Sequence, residues 1–166
     1  GLVSHQTFLY GDLTAEENLR FYGTLYRMEG LDERIRYLLE RVGLYERRRD
    51  AVRTFSRGMQ QRLSIARAIL HDPPILLLDE PDTGLDQQAI RMLGELLATF
   101  GSASRTVLMT THQLERALEL SSRVAILAGG KICLDLPAAG LSPLDLSVRY
   151  AAAVELRPVQ GKAATA

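Results

Sequence analysis

The chain has 166 residues, of which 46% are apolar and 24% charged, with Lys+Arg and Asp+Glu both at 20. That is the make-up of a globular domain with a real core, and the balanced charge gives no footprint of nucleic acid or an anionic membrane. A single cysteine, Cys133, excludes an internal disulfide framework, and no apolar run reaches the roughly 18–20 residues needed to cross a bilayer.

The first residues, Gly1-Leu2-Val3-Ser4-His5-Gln6, open in the middle of a strand-like run, and this start reads as a cut. Thr14 and Glu17 form a Thr-x-x-Glu capping box. Leu19, Tyr22, Leu25 and Tyr26 then recur at helical spacing, with Gly30 as the stop. A second helix carries Ile35, Leu38, Leu39 and Val42 on one face and ends at Gly43. Glu46-Arg47-Arg48-Arg49-Asp50 reads as a solvated loop in preference to an anion site.

A third helix is expected from about Arg57 to Leu70, ending before Pro73-Pro74. Ile75 to Asp79 is a short apolar run, the pattern of a strand buried on both faces. Ala89, Leu93, Leu96, Leu97 and Phe100 mark a helix, Arg105 to Thr110 a strand, and Leu114, Ala117 and Leu118 a short helix. Arg123 to Ala128 and Lys131 to Leu136 are strands joined by a Gly129-Gly130 turn. Cys133 falls in the last of these as a structural apolar residue. The tail from Pro158 to Ala166 has no apolar pattern and reads as disordered.

Strands alternating with helices predict an α/β fold with a parallel sheet covered on both faces. The helix-only stretch from about 14 to 48 forms a helical subdomain within a domain spanning 1–156.

The chemistry concentrates at Ile75-Leu76-Leu77-Leu78-Asp79-Glu80. A strand that ends in two carboxylates places Asp79 beside the crevice where α/β sheets bind ligands, where it can orient Mg²⁺. Glu80, one residue on, points elsewhere and can polarise a water. A core strand capped by two solvated acids is the plainer alternative. Ser56, a good N-cap, and Gly58, which leaves the first turn bare, expose N–H groups at a helix N-terminus, a ready anion site.

Five segments in order resemble the motifs of ATP-binding-cassette (ABC) proteins. Gln6 is similar to the Q-loop glutamine, and Phe55-Ser56-Arg57-Gly58-Met59 resembles the LSGGQ signature. Leu77-Leu78-Asp79-Glu80-Pro81 resembles Walker B, Gly84-Leu85-Asp86 the D-loop, and Thr111-His112 the switch histidine. The resemblance implies a P-loop NTPase-like fold that uses ATP and Mg²⁺. It implies that Asp79 orients Mg²⁺ and Glu80 is the general base. By the same resemblance Gln6 touches Mg²⁺ or the water, and His112 meets the γ-phosphate. Ser56 and Gly58 would contact ATP held by a second ATPase subunit, and Asp86 would cross that dimer interface. His5 and His71 lack such context and read as non-catalytic. Arg57 and Met59 stand where the signature has Gly and Gln. No Gly-x-x-x-x-Gly-Lys-Ser/Thr occurs in the 166 residues, so the amino-terminal strands and P-loop are expected to lie outside them. The 166 residues alone are expected to bind ATP poorly.

The implied protein is the ATPase of a transporter, docked on an integral membrane permease at the cytoplasmic face of the plasma membrane. The wording of residues 9–19, 53–62 and 71–74 is similar to the haem-exporter ATPase of cytochrome c maturation and to ABC-2 exporters. A non-transport cassette ATPase of translation or DNA repair is the rival reading, and a non-hydrolytic binding module a third. The absence of long heptads and cysteine pairs favours transport.

Overall fold

The computed structural model describes residues 1–101 and 105–155, and the tail reading for 157–166 lies outside the described residues. The chain divides into two compact units, Gly1–Thr111 and a second that begins at His112.

The first unit is built on a three-stranded parallel sheet of order β1-β2-β3, formed by β1 (Leu2–Val3), β2 (Ile75–Asp79) and β3 (Thr106–Thr110). The register sets Leu2 beside Leu77, and Leu77 beside Leu108. Side chains alternate across a strand, so Val3, Leu76 and Leu78 share one face and are buried. The opposite face carries Leu2, Ile75, Leu77 and Leu108, with Leu77 42% and Leu108 63% exposed. The expectation of a strand buried on both faces is corrected here. An apolar run reports only that a face can be covered; within this chain β2 is half-buried.

Between β1 and β2 run α1 (Ala15–Leu25), α2 (Leu31–Arg41) and α3 (Arg57–Ile69). The capping box at α1 is present in full: the Glu17 N–H donates to the Thr14 hydroxyl oxygen, and the Glu17 carboxylate accepts from the Thr14 N–H at 2.8 Å. Contrary to the expected stop at Gly30, α1 ends at Leu25 with Tyr26 as its C-cap. Arg27 takes the left-handed conformation (φ 53°), and the Met28 N–H reaches back to the Gly23 carbonyl. Gly30 is instead the N-cap of α2. At the end of α2, Gly43 (φ 64°) closes the motif expected of it, with Leu44 N–H donating to the Leu39 carbonyl at 2.8 Å. Leu19, Leu38, Leu39, Leu44, Leu63 and Ile65 form the core that joins these helices.

The arginines at 47 and 48 pair with Asp50 and Glu16 at the surface, as a solvated stretch would. After β2, α4 (Gln87–Gly101) packs against β3 and buries Ala89, Leu93, Leu96, Leu97 and Phe100, the five positions its periodicity marks.

The second unit holds α5 (Leu114–Leu120), the antiparallel pair β4 (Arg123–Ala128) and β5 (Lys131–Pro137), and α6 (Pro143–Glu155). Gly129 and Gly130, both with positive φ, make the two-residue turn between the strands. Val124, Ile126, Ala138 and Leu146 are its core. Cys133 lies in β5 as expected but is exposed, because it falls on the face turned from that core. The helix α6 has no counterpart in the sequence reading. Its signal was available: the Ser142 hydroxyl and N–H both reach the Asp145 carboxylate, a Ser-x-x-Asp cap.

Among the described residues no helix is long and apolar enough to cross a membrane.

Candidate functional site

The carboxyl end of β2 opens onto a cleft of about 660 Å³ lined by Gln6, Arg57, Gln60, Asp79, Glu80 and Thr83, among others. Parallel pairing places Asp79 beside Thr110 on β3, and the Thr110 hydroxyl donates to Asp79 Oδ1 at 2.7 Å. The Glu80 N–H donates to the Thr110 carbonyl at 3.1 Å. Glu80 itself has φ 45°, a left-handed conformation that a non-glycine residue adopts at a cost of about 1–3 kcal/mol. The chain therefore leaves the strand sharply at Glu80, with both Asp79 and Glu80 lining the cleft.

A tight turn follows. The Thr83 N–H donates to the Glu80 carbonyl at 3.2 Å and the Thr83 hydroxyl to Glu80 Oε2 at 3.3 Å. Asp82 is buried and accepts from the Thr111 hydroxyl at 3.4 Å. Asp86 caps α4, its Oδ1 accepting from the Ala89 N–H at 2.8 Å.

The amino-terminal end of α3 lies against this turn. Ser56 is its N-cap, the hydroxyl oxygen accepting from the Met59 N–H at 3.3 Å. The N–H groups of Arg57 and Gly58 precede the first intrahelical donor, the Gln60 N–H that bonds the Ser56 carbonyl, so this end carries the partial positive charge of a helix start. A Cβ on Gly58 would stand 3.2 Å from the Gly84 carbonyl oxygen, which is why glycine suits this position. Gly84 has φ 77°, and the aliphatic stem of Arg57 lies over it, with Cδ 3.5 Å from where a Cβ would be. The buried Gln61 amide donates to the Pro81 carbonyl at 3.1 Å.

Gln6 reaches the cleft on a bend after β1, where the Ser4 hydroxyl donates to the Gln6 carbonyl at 3.0 Å. His5 lines the same cleft. His71 does not: its ring stacks on Tyr26 at 3.9 Å between centroids, and burial pushes its pKa down, with the positive charge of Arg67 acting the same way. The structure thus gathers Gln6, Asp79 and Glu80 around one cleft and sets Ser56, Gly58 and Asp86 on the elements beside it. His112 opens the second unit, directly ahead of α5 and its N-cap Gln113.

Thr110, Gln61, Asp82 and Thr83 belong to this arrangement and were not singled out from the sequence. Only the position of Thr110 at the end of the strand following Asp79 hinted at it.

The donor set fits Mg²⁺. The Asp79 carboxylate and the Gln6 amide oxygen are hard oxygen ligands, and Mg²⁺ is held by one or two carboxylates together with water and substrate phosphates.

Residues 1–83 match the family model described as "ABC transporter". The chain is 37% identical over 134 residues to the linearmycin resistance ATP-binding protein LnrL of Bacillus subtilis, covering 80% of this chain and 43% of that protein. It is 40% identical over 129 residues to a fluoroquinolones export ATP-binding protein of Mycobacterium tuberculosis, covering 77% of this chain and 42% of the relative. The chain thus spans less than half the length of these curated relatives. Among solved structures, the ATP-binding subunit of an ABC transporter matches with a TM-score of 0.81 at 28% identity, covering 90% of this chain and 67% of that one. An ATP-binding cassette in a dimeric post-hydrolysis state bound to ADP and Pi matches with a TM-score of 0.71 at 29% identity, over 85% of this chain and 63% of that one.

Proposed function

Because this chain belongs to the ABC transporter family, we propose that it is the catalytic part of an ATP-binding and ATP-hydrolysing subunit that powers export through a separate membrane permease. The observation that carries the reading is the Asp79-Glu80 pair at the carboxyl end of β2, where the left-handed backbone at Glu80 turns the chain and both residues line the cleft with Gln6.

In this reading Asp79, held by the Thr110 hydroxyl, orients Mg²⁺. When bound, Mg²⁺ neutralises charge on the β- and γ-phosphates of ATP. Glu80 accepts the proton of the attacking water as its oxygen bonds to the γ-phosphorus, while the bond from that phosphorus to the β–γ bridging oxygen breaks and ADP leaves with the oxygen. Gln6 holds that water or the metal, and His112 contacts the γ-phosphate. Ser56 and the bare first turn of α3 meet the nucleotide of a second ATPase subunit, for which a helix start is a suitable anion partner. Asp86 lies at the interface between the two subunits. The helical subdomain of residues 14–48, entered from the Gln6 segment, docks the permease. The subunit sits peripherally at the cytoplasmic face of the membrane.

Export is supported by the names of the relatives, which include Nod factor export and fluoroquinolones export proteins. Haem as cargo rests on sequence wording alone, because substrate choice belongs to the permease and not to these residues.

The test is Glu80→Gln in the protein that contains this chain. Turnover of Mg-ATP should fall by a factor of about 10²–10⁴, the contribution of a positioned general base. Equilibrium ATP binding should be kept. Wild-type turnover in that variant would remove Glu80 from the mechanism.

A further inference from the structure

We propose that Thr83 is a positioning residue for Glu80, held in place by the amino-terminal end of α3. The inference deepens the ATPase reading above and rests on it. At Glu80 the left-handed backbone (φ 45°) turns the chain out of β2. Thr83 meets Glu80 from the far side of that turn. Its N–H donates to the Glu80 carbonyl at 3.2 Å, and its hydroxyl donates to Glu80 Oε2 at 3.3 Å. Thr83 thus meets both the carbonyl and the carboxylate of Glu80, while the Glu80 N–H is held by Thr110.

The turn is itself clamped at each step. Pro81 is held through its carbonyl by Gln61 of α3 at 3.1 Å. Asp82 is held by the Thr111 hydroxyl at 3.4 Å. Gly84 is covered by the stem of Arg57, and its carbonyl abuts Gly58. Two of these three clamps come from α3, the helix whose start carries Ser56. Thr83 is exposed and lines the cleft, so its hydroxyl is not needed to fill a core. A displacement of the α3 start relative to β2 would move the turn, and with it the oxygen that Thr83 holds.

The experiment compares wild type, Thr83→Val and Thr83→Ser in the protein that contains this chain. Valine keeps the shape and removes the hydroxyl; serine keeps the hydroxyl. Thr83→Val should lower kcat about tenfold, the loss expected of one hydrogen bond to a charged group, with KM for Mg-ATP within about twofold. Thr83→Ser should recover kcat to within about twofold of wild type. Amide hydrogen exchange over residues 80–86 gives a second readout without turnover. It should be faster in Thr83→Val than in both wild type and Thr83→Ser. A Thr83→Val enzyme with wild-type kcat, or a Thr83→Ser enzyme as slow as it, would overturn the proposal. So would equal exchange in all three proteins. A wild type that hydrolyses no ATP would overturn the ATPase reading, and the exchange comparison would still decide whether Thr83 holds Glu80.

Discussion

Asn18 is a polar side chain with no exposed surface in the first turn of α1. Its Oδ1 accepts from the Tyr10 N–H at 2.8 Å, and its Nδ2 donates to the carbonyls of Tyr10 at 3.0 Å and Thr14 at 2.9 Å. It thereby pins the segment leaving the Gln6 bend to the helical subdomain. Asn18→Ala removes these three and a longer one from Nδ2 to the Leu13 carbonyl at 3.4 Å, a carbonyl that keeps the Val52 N–H. The Thr14 carbonyl keeps the Asn18 N–H, and the Tyr10 carbonyl keeps the Leu13 N–H at 3.3 Å. The Tyr10 N–H loses the acceptor Asn18 gave it. Two lost bonds to Tyr10 at about 1 kcal/mol each, with about 1–2 kcal/mol for the stranded donor, give a destabilisation of about 3–4 kcal/mol. Asn18→Asp should be worse at neutral pH, because a carboxylate would face the Tyr10 and Thr14 carbonyls where an amide now donates. Urea unfolding followed by circular dichroism measures the loss, and exchange of the Tyr10 amide reports it locally. A loss below about 0.5 kcal/mol, the range of ordinary surface changes, would refute the reasoning, as would an Asn18→Asp protein as stable as wild type.

Two further outcomes are expected. In a Glu80→Gln background, ATP should drive dimerisation of the protein that contains this chain, and Ser56→Arg should block it by filling the anion site at the start of α3; sedimentation that shows the same species with and without Ser56→Arg would count against that site. The Thr14 N–H, and then its hydroxyl, holds the Glu17 carboxyl below its ordinary value of 4.5. A depressed carboxyl stabilises the fold above its unfolded pKa and loses that contribution as pH falls through the folded one. Unfolding measured between about pH 3 and 6 should therefore show a slope in wild type that shrinks in Glu17→Gln, and equal slopes would remove the capping box from the acid response.

Signals that act within a few residues were legible in the sequence. Thr14 with Glu17, Gly43 after α2 and the Gly129-Gly130 turn each meet a local backbone demand, and each formed as read. The run Ile75–Asp79 and the five apolar positions of α4 likewise gave their elements. The family was legible because five short motifs stand in order along the chain. The end of α1 was not, because Arg27 took the left-handed position that a sequence rule reserves for glycine. Nor was the open face of β2, since an apolar run does not say which of its faces finds a partner. The contacts that hold the candidate site are of this second kind. Thr110 meets Asp79 only through the parallel register of β2 and β3, 31 residues apart. Gln61 meets Pro81, and Gly58 meets Gly84, only because α3 packs against the turn that follows β2. Residue types and short spacings determined which groups this chain carries; sheet register and helix packing, which bring together groups far apart in sequence, decided which of them touch.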